Sequence, residues 1–300
     1  MAPLHFVIRS LPEFFQKLLD FTDYQGDYWY RGQKDHNYSL LPSAYRPKNL
    51  GQFVDHGPQL EKDQIAKARS SLFDNPKTNF LKNELDWLCF LQHVGTPTRL
   101  LDFTLSPAIA LYFAFSNYLN KDAPFQNRLP SVWILNLNEL SKATKNKIKQ
   151  ELNDFSCNEK KRTSKSQSTD SDDIKSLITF FADHSKSSSE ITLWEEKSRP
   201  TREKLNNLHI PFLSPPVHER PKAQGGCFIR FPLYKRWEYE KYQKTALEKT
   251  YNKHNFLAQY TFINPRQLAK ELAIFNLDIS RIYPDEMNIA KWIKKITYQR

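Results

Sequence analysis

Glycine and cysteine are both scarce in this chain, and each shortage argues against a class of protein. Only 7 of the 300 residues are glycine. Neither GxGxxG nor GxxxxGK[ST] occurs, which argues against a Rossmann or P-loop nucleotide site. The three cysteines, Cys89, Cys157 and Cys227, lie far apart and have no CxxC spacing. They therefore exclude a disulfide framework and argue against a structural zinc site.

Long apolar runs and several enzyme motifs are also missing. There is no HExxH and no GxSxG, so we predict neither a metal site nor a serine hydrolase elbow. No run of about 18 apolar residues occurs, and the first residues carry no long apolar segment. We expect a soluble, cytoplasmic protein with no membrane partner.

Positive charge and aromatic side chains are abundant. The formal net charge is +11, and aromatic residues make up 14% of the chain. A basic balance favours nucleic acid, anionic membrane surfaces or acidic partners. The alternative is an ordinary soluble protein from a Lys-rich proteome.

Apolar spacing predicts a mixed α+β fold. Helices are predicted at 11–20, 60–73, 84–94, 108–119, 265–275 and 286–296, and strands at 28–32, 98–103, 132–137, 227–234 and 255–263. Ser, Lys, Asp and Glu dominate 156–190, which is typical of a polar, partly disordered insertion, with a short helix predicted at 174–181. We predict one domain over 1–300 that contains this insertion.

The most informative stretch is 92–107, where polar residues lie between two apolar, helix-like runs. His93, Thr98, Arg99, Asp102 and Thr104 all fall in it. Polar groups among apolar ones must find partners, so the stretch is either a site or a hydrogen-bonded joint. Arg99 and Asp102 are three apart on a predicted strand and should point to opposite faces, one toward a core and the other toward a cleft. His93 could be a base, a phosphate donor or a core histidine.

Two further clusters are candidates for ligand contact. In Tyr30-Arg31-Gly32-Gln33, the arginine could bind a phosphate or carboxylate while the glycine lets a ligand approach, or the arginine could pair with a structural Asp such as Asp102. Gly225-Gly226 marks a bulge or a close backbone approach at the start of a strand. A carboxylate or amide near it, such as Glu219, could reach a sugar hydroxyl.

A basic and aromatic stretch covers 230–260. Cations interleaved with aromatic rings are typical of single-stranded nucleic-acid binding, whereas an exposed amphipathic helix is the alternative. The predicted nucleic-acid residues are Lys222, Arg230, Lys235, Arg236, Trp237 and Tyr239.

Together the motifs resemble the FRG domain family. The elements that carry the resemblance are Tyr30-Arg31-Gly32-Gln33, the segment 40–46, the block 92–104 with its continuation 106–114, a looser element at 220–228, and 281–285. The resemblance spans about residues 28–290. It implies a layout similar to the ADP-ribosyltransferase fold, in which a split β core grips NAD between flanking helices.

That resemblance assigns roles to single residues. Arg31 would hold NAD, Thr104 would close the second strand, and Tyr112 would flank the nicotinamide. The late strand should carry a Glu, but the chain reads Gln224-Gly225-Gly226 there, so Asp102 or Glu219 must supply the carboxylate. The implied catalytic residues are Arg31, Asp102, Thr104 and Glu219. The implied NAD-binding residues are Tyr30, Arg31, Gly32, Gln33, His93, Thr98, Arg99, Tyr112 and Gln224.

We therefore expect an ADP-ribosyltransferase that uses NAD to modify a nucleic acid, with RNA favoured over DNA. Such an activity would harm its own cell, which suggests a toxin restrained by an antitoxin protein and directed against phage. Three alternatives stay open: a non-catalytic module that binds a nucleotide or nucleic acid, a metal-independent RNase toxin with His93 as base and Arg99 on the phosphate, and a protein whose polar block is only a rigid joint.

Overall fold

A computed structural model describes most of the two ends of the chain and parts of its middle. Side chains are described for residues 3–23, 26–46, 59–73, 75, 78–79, 81–119, 128–144, 146, 187, 190–191, 209–214, 223–232, 246–250, 256–275 and 282, and the backbone alone for 47–58. The insertion predicted at 156–190 lies outside these residues except for two positions. The helices predicted at 174–181 and 286–296 lie entirely outside them.

The described elements alternate between strands and helices. The strands are β1 (Leu4–Ile8), β2 (Tyr28–Gln33), β3 (Leu100–Thr104), β4 (Ser131–Asn136), β5 (Ile210–Leu213), β6 (Gly226–Arg230) and β7 (Leu257–Phe262). The helices are α1 (Leu11–Phe21), α2 (Pro47–Ser71), α3 (Glu84–His93), α4 (Pro107–Leu119), α5 (Leu247–Thr250) and α6 (Pro265–Leu272), with short 3-10 turns at Ser43–Tyr45 and Ala273–Phe275. Residues 137–144 are also helical.

One mixed sheet carries all the described strands, in the order β1-β7-β4-β2-β3-β6-β5. β1 pairs with β7 in parallel, and the other neighbours are antiparallel. The mixed α and β class predicted from the sequence is therefore confirmed. Among the described residues, no helix is both long and apolar enough to cross a membrane.

Alternating side chains put a separate apolar core on each face of the sheet. Tyr30, Val132 and Ile134 pack on one face against α1, α4 and α6. Trp29 and Trp133, their neighbours in sequence, belong to the core on the other face. A third cluster lies under α2 and α3. This period of two is the reason that the central strands could be predicted from the sequence.

The element boundaries differ from the prediction in a few places. β1 and β5 were not predicted, and α2 begins at Pro47 rather than at residue 60. The residues 47–59 are largely polar, so apolar periodicity gave no signal for them, although Pro at the first turn is a helix-start signal. The strand predicted from Thr98 begins at Leu100, because the Thr98 amide donates to Ser43 Oγ (3.1 Å) rather than to a neighbouring strand.

Candidate active site

The central feature of the sheet is a gap between β2 and β3. These two strands pair at one position, Tyr30 with Thr104, whereas β2 pairs with β4 at six positions. Beyond that pair the two strands part, and a cavity of about 900 Å³ lies against both of them. Arg31, Asp102 and Thr104 all line it, so three residues predicted from distant motifs share one cavity.

Most of the charged residues that line this cavity are cations. Arg31, Lys34, Arg46 and Lys249 line it, and among its described lining residues Asp102 is the only carboxylate. Lys34 and Lys249 are partly or fully solvent-accessible and Arg46 is exposed, which places their charge in solvent contact. Such a distribution attracts an anionic ligand and leaves one local negative charge inside the site.

Asp102 is held on two sides while it faces the cavity. Gln92 Nε2 donates to both carboxylate oxygens, at 2.9 Å to Oδ1 and 3.0 Å to Oδ2. Arg31 Nη1 donates to the Asp102 carbonyl oxygen at 2.6 Å and lies 3.4 Å from Oδ2. The Asp102 side chain still has 51% of its surface exposed, so a ligand can reach it. The prediction that Asp102 faces a cleft is confirmed.

The orientation of Gln92 is set by Thr98. Thr98 Oγ1 donates to Gln92 Oε1 at 2.6 Å and accepts from the Leu100 amide at 3.2 Å. Since the amide oxygen is taken by Thr98, the amide nitrogen must face Asp102. Thr98 is fully buried and acts on the cavity through Gln92, so it is not placed to touch a ligand as the NAD-binding prediction required.

Arg31 uses only part of its guanidinium in hydrogen bonds to the described residues. Both of its hydrogen bonds come from Nη1, and its buried Nε has no partner among the described residues. Burial lowers the pKa of the guanidinium, and the charge of Asp102 opposes that shift. Arginine nonetheless stays protonated in proteins, so Arg31 offers a fixed positive charge beside the Asp102 carboxylate.

Aromatic rings form much of the apolar wall. Tyr30, Phe103, Phe113 and Phe228 line the cavity. Tyr112, which was predicted to flank nicotinamide, is not among the lining residues. It is buried next to Phe113, with ring centroids 5.9 Å apart. Phe113 rather than Tyr112 lines the cavity, because successive residues of α4 point in different directions.

Thr104 and Gln224 tie β3 to the turn before β6. Thr104 Oγ1 donates to the Gln224 carbonyl oxygen at 2.6 Å and accepts from the Ser106 amide at 3.1 Å. Gln224 Nε2 donates to the Ile282 carbonyl oxygen at 2.9 Å. Both residues line the cavity, but the Thr104 hydroxyl proton is already engaged. Thr104 therefore fixes the cavity wall, and its predicted catalytic role has no free hydroxyl proton to use.

Gly32 and Gln33 line the cavity, but their contacts are with the protein. A Cβ on Gly32 would lie 1.9 Å from the Ala110 carbonyl oxygen of α4, so the glycine makes room for a helix rather than for a ligand. Gln33 Oε1 accepts from Trp133 Nε1 at 2.8 Å. The close approach of α4 therefore accounts for the glycine at this position, and contact of Gly32 with a ligand stays a prediction.

Arg99 lies on the opposite side from Asp102, as the strand geometry predicted. Its guanidinium makes a bidentate pair with Glu61, with Nε 2.9 Å from Oε2 and Nη2 3.0 Å from Oε1, and Nη1 donates to the Phe231 carbonyl oxygen. Both side chains are buried, and neither residue lines the cavity. The predicted NAD-binding role of Arg99 therefore does not fit this position, which is the structural joint that the sequence left as the alternative.

The predicted nucleic-acid residues fall largely outside the described chain. Lys222, Lys235, Arg236, Trp237 and Tyr239 are not described, and neither is the candidate carboxylate Glu219. Arg230 is described and is only 3% exposed, within β6. It therefore presents no solvent-facing charge to a nucleic acid.

His93, Cys89 and Cys227 complete the lining on the side of α3 and β6. His93 is the last residue of α3 and faces the same cavity as Asp102. Burial raises the pKa of both thiols, and the charge of Asp102 adds to that effect. Neutral, buried thiols are poor nucleophiles, so they serve as wall.

The sequence prediction omitted Gln92, Lys34, Arg46 and Lys249 from the site. Gln92 belongs to the polar block, and a polar side chain at the end of an apolar helix is a signal that could have placed it in the site. The three cations come from separate loops and helix ends, and only the folded chain brings them to one cavity.

An aromatic-walled cavity whose charged residues are four cations and one carboxylate has the chemistry that suits an anionic ligand with a ring. Residues 26–123 match the sequence profile of the FRG domain. The resemblance that the motifs suggested is confirmed there. The elements at 220–228 and 281–285 lie beyond the matched residues. No curated protein and no solved structure matches the chain.

Proposed function

We propose that the chain is an ADP-ribosyltransferase that binds NAD in the cavity between β2 and β3. The observation that carries this proposal is the half-exposed Asp102 carboxylate held beside Arg31, in a cavity whose other charged lining residues are cations. Arg31 suits the pyrophosphate of NAD, and the carboxylate suits the positive charge that develops on the ribose.

The transfer requires one bond to break and one to form. The bond between ribose C1′ and the nicotinamide nitrogen breaks, and nicotinamide leaves with the electron pair. A nucleophilic atom of the acceptor then bonds to C1′ and releases its proton. Asp102 is placed to stabilise the oxocarbenium-like ribose, Arg31 to bind a phosphate, and Phe113 or Phe228 to pack on a ring.

The layout of the elements supports the same proposal. An early strand, β2, carries Arg31. A second strand, β3, ends in Thr104 and leads into α4, and a late strand, β6, follows Gln224. That order is similar to the split β core of ADP-ribosyltransferases. The late-strand position holds an amide, so Asp102 on β3 supplies the carboxylate in this proposal.

The proposed acceptor is a nucleic acid, with RNA favoured over DNA. Its support is the net charge of +11 together with Lys34, Arg46 and Lys249 at the cavity. A toxin role, with a partner protein that restrains it and phage as its target, follows only if the acceptor is one of the cell's own nucleic acids.

Incubation with NAD labelled in its adenylate phosphate, and separately with RNA, DNA and protein, tests the proposal. We expect label on RNA, a loss of about 100-fold or more in Asp102→Asn and Arg31→Ala, and wild-type transfer by Asp63→Asn, which removes a carboxylate on α2 that lies outside the cavity. No label on any of the three acceptors, with Arg31→Ala indistinguishable from wild type, would overturn it.

A non-catalytic nucleotide-binding module is the second candidate, because the Thr104 hydroxyl is engaged and Gln224 stands in the late-strand position. Binding of ADP-ribose without release of nicotinamide would favour it. Since His93 lines the same cavity, RNA cleavage in the absence of NAD would instead favour the RNase alternative.

A further inference from the structure

A second, smaller cavity adjoins the proposed NAD site. Its volume is about 310 Å³, and it shares Asn37, Tyr38 and Ser39 with the larger cavity. The consecutive residues Glu248 and Lys249 of α5 line one cavity each, Glu248 the smaller and Lys249 the larger. The segment 37–39 is therefore a lip that separates two adjacent binding spaces.

The lip is fixed by hydrogen bonds within it and just before it. Asp35 Oδ1 accepts from the Asn37 amide at 3.0 Å and from Asn37 Nδ2 at 3.2 Å. The His36 amide donates to the Leu129 carbonyl oxygen at 2.8 Å. Arg128 lies 3.6 Å from the other Asp35 oxygen, so the lip is joined to the chain that leads into β4.

The Tyr38 ring is held although it is exposed. Arg128 Nη1 donates to the Tyr38 hydroxyl, and the guanidinium carbon lies 5.7 Å from the ring centroid. Tyr38 nevertheless keeps 46% of its surface exposed. An exposed ring that is already ordered loses little entropy when a flat ligand stacks on it, which is the property of a stacking platform.

The small cavity also offers hydrogen-bonding groups next to that ring. Its lining includes Asn37, His36, Gln259 and Glu248. Gln259 Nε2 donates to the His36 carbonyl oxygen at 2.6 Å, and Glu248 Oε2 accepts from the Leu40 amide at 3.1 Å, so both side chains are oriented by the backbone. Oriented amide and carboxylate groups match the donors and acceptors on the edge of a nucleobase.

We propose that the small cavity binds one unpaired base of a single-stranded nucleic acid, stacked on Tyr38. The base would lie next to the ribose of NAD, while Lys34, Arg46 and Lys249 contact the phosphates of the strand. A volume at the lower end of ligand pockets, which range over about 300–1,000 Å³, suits a single base and excludes a paired one. The assignment of this base to an acceptor strand rests on the proposed function, but its binding needs no NAD.

Fluorescence anisotropy of a short, fluorescein-labelled single-stranded RNA tests the site in the full-length protein without NAD. We expect Tyr38→Ala to weaken binding about tenfold, the amount expected for one lost stacking contact. Tyr38→Phe keeps the ring and its packing against the Arg128 guanidinium but loses the hydroxyl contact, so its affinity should stay closer to that of wild type than to that of Tyr38→Ala. Phe73→Ala is the matched control, because Phe73 is an exposed aromatic residue that lines neither cavity.

Three results of this binding experiment would overturn the proposed base site. Equal affinity of Tyr38→Ala and wild type would overturn it, and so would a loss in Tyr38→Phe as large as that in Tyr38→Ala, because stacking would then not be the cause. Tighter binding of a duplex than of the single strand would also overturn it. If the RNA binds as expected but no ADP-ribose is transferred, the base site stands and the proposed reaction fails.

Discussion

Gln92 is the residue whose replacement tests the site most directly. Its side chain contacts Asp102 through Nε2 and Thr98 through Oε1, so it connects the buried loop to the cavity. Gln92→Leu removes both contacts at similar volume. We expect Asp102 to lose its fixed orientation in the cavity, while Arg31 still contacts its backbone oxygen.

The expected loss of rate and stability in Gln92→Leu follows from the contacts of Gln92 with Asp102 and with Thr98. A hydrogen bond to a charged group contributes about 1.5–3 kcal/mol, and the exposure of Asp102 favours the lower end because water replaces part of it. A loss of about 1.4 kcal/mol in the transition state lowers the rate about tenfold. The buried Thr98 hydroxyl also loses its acceptor, which should lower the free energy of unfolding by about 1–3 kcal/mol.

The assay is steady-state release of nicotinamide, with kcat and KM measured separately alongside thermal unfolding. In the proposed reaction Asp102 stabilises the developing charge rather than the pyrophosphate, so kcat should fall while KM changes little. Gln92→Glu provides the discriminating comparison. It keeps an oxygen for Thr98, but it places a second carboxylate against Asp102, so it should protect stability more than it protects kcat.

Gln16→Leu is the matched control, since Gln16 Nε2 donates to Asp20 at 3.1 Å on an exposed face of α1. It should leave kcat and KM unchanged. If Gln92→Leu retains wild-type kcat while Asp102→Asn is inactive, the orienting role of Gln92 is refuted. Recovery of full kcat in Gln92→Glu would instead reduce Gln92 to a structural contact of Thr98.

Three further predictions concern the wall of the cavity and the joint behind it. Glu61→Leu should lower the free energy of unfolding by about 3–5 kcal/mol in urea denaturation, because it leaves the buried Arg99 charge without its ion-pair partner. The double variant Glu61→Leu with Arg99→Leu should recover much of that loss. An equal loss in the single and the double variant would contradict the ion-pair account. Gly32→Ala should lower the free energy of unfolding by about 3 kcal/mol or more, since its Cβ would lie 1.9 Å from the backbone of α4. An unchanged melting temperature would mean that α4 does not pack against Gly32. Burial raises the pKa of Cys89 and Cys227, so the folded state keeps protons that the unfolded state loses above about pH 8.5, and stability should fall as the pH rises past that value. Replacing both cysteines by alanine should flatten that fall, and an unchanged slope would assign it to other groups.

The central strands and their facing could be predicted because they depend on local pattern. Asp102 and Arg99 were placed on opposite sides from their spacing alone, and they lie on opposite sides. The start of α4 was also predictable, because Ser106 followed by Pro107 is a local helix signal, and Ser106 Oγ accepts from the Ile109 amide at 3.4 Å. Such signals need no knowledge of the distant chain.

The roles of several site residues could not be predicted because they depend on what lies opposite. Gly32 and a ligand-binding glycine look alike in sequence, and only the position of α4 distinguishes them. In the same way, the partner of Arg99 is Glu61, 38 residues earlier, in a helix whose first half gave no apolar pattern. Where a residue's role is fixed by a non-local neighbour, composition and spacing leave its alternatives open.

The carboxylate of the proposed reaction can be chosen only when the sequence motifs and the positions of their residues in the fold are considered together. The sequence left Asp102 and Glu219 as candidates. Asp102 lies in the cavity, with its orientation fixed by Gln92 and with Arg31 3.4 Å away. The turn before β6 brings Gln224 to the cavity wall, where its side-chain amide donates to the Ile282 carbonyl oxygen. Asp102 lies on the same strand that Thr104 anchors, so its position is fixed by the sheet. This favours Asp102, and it makes the Asp102→Asn variant the one to compare first with Arg31→Ala.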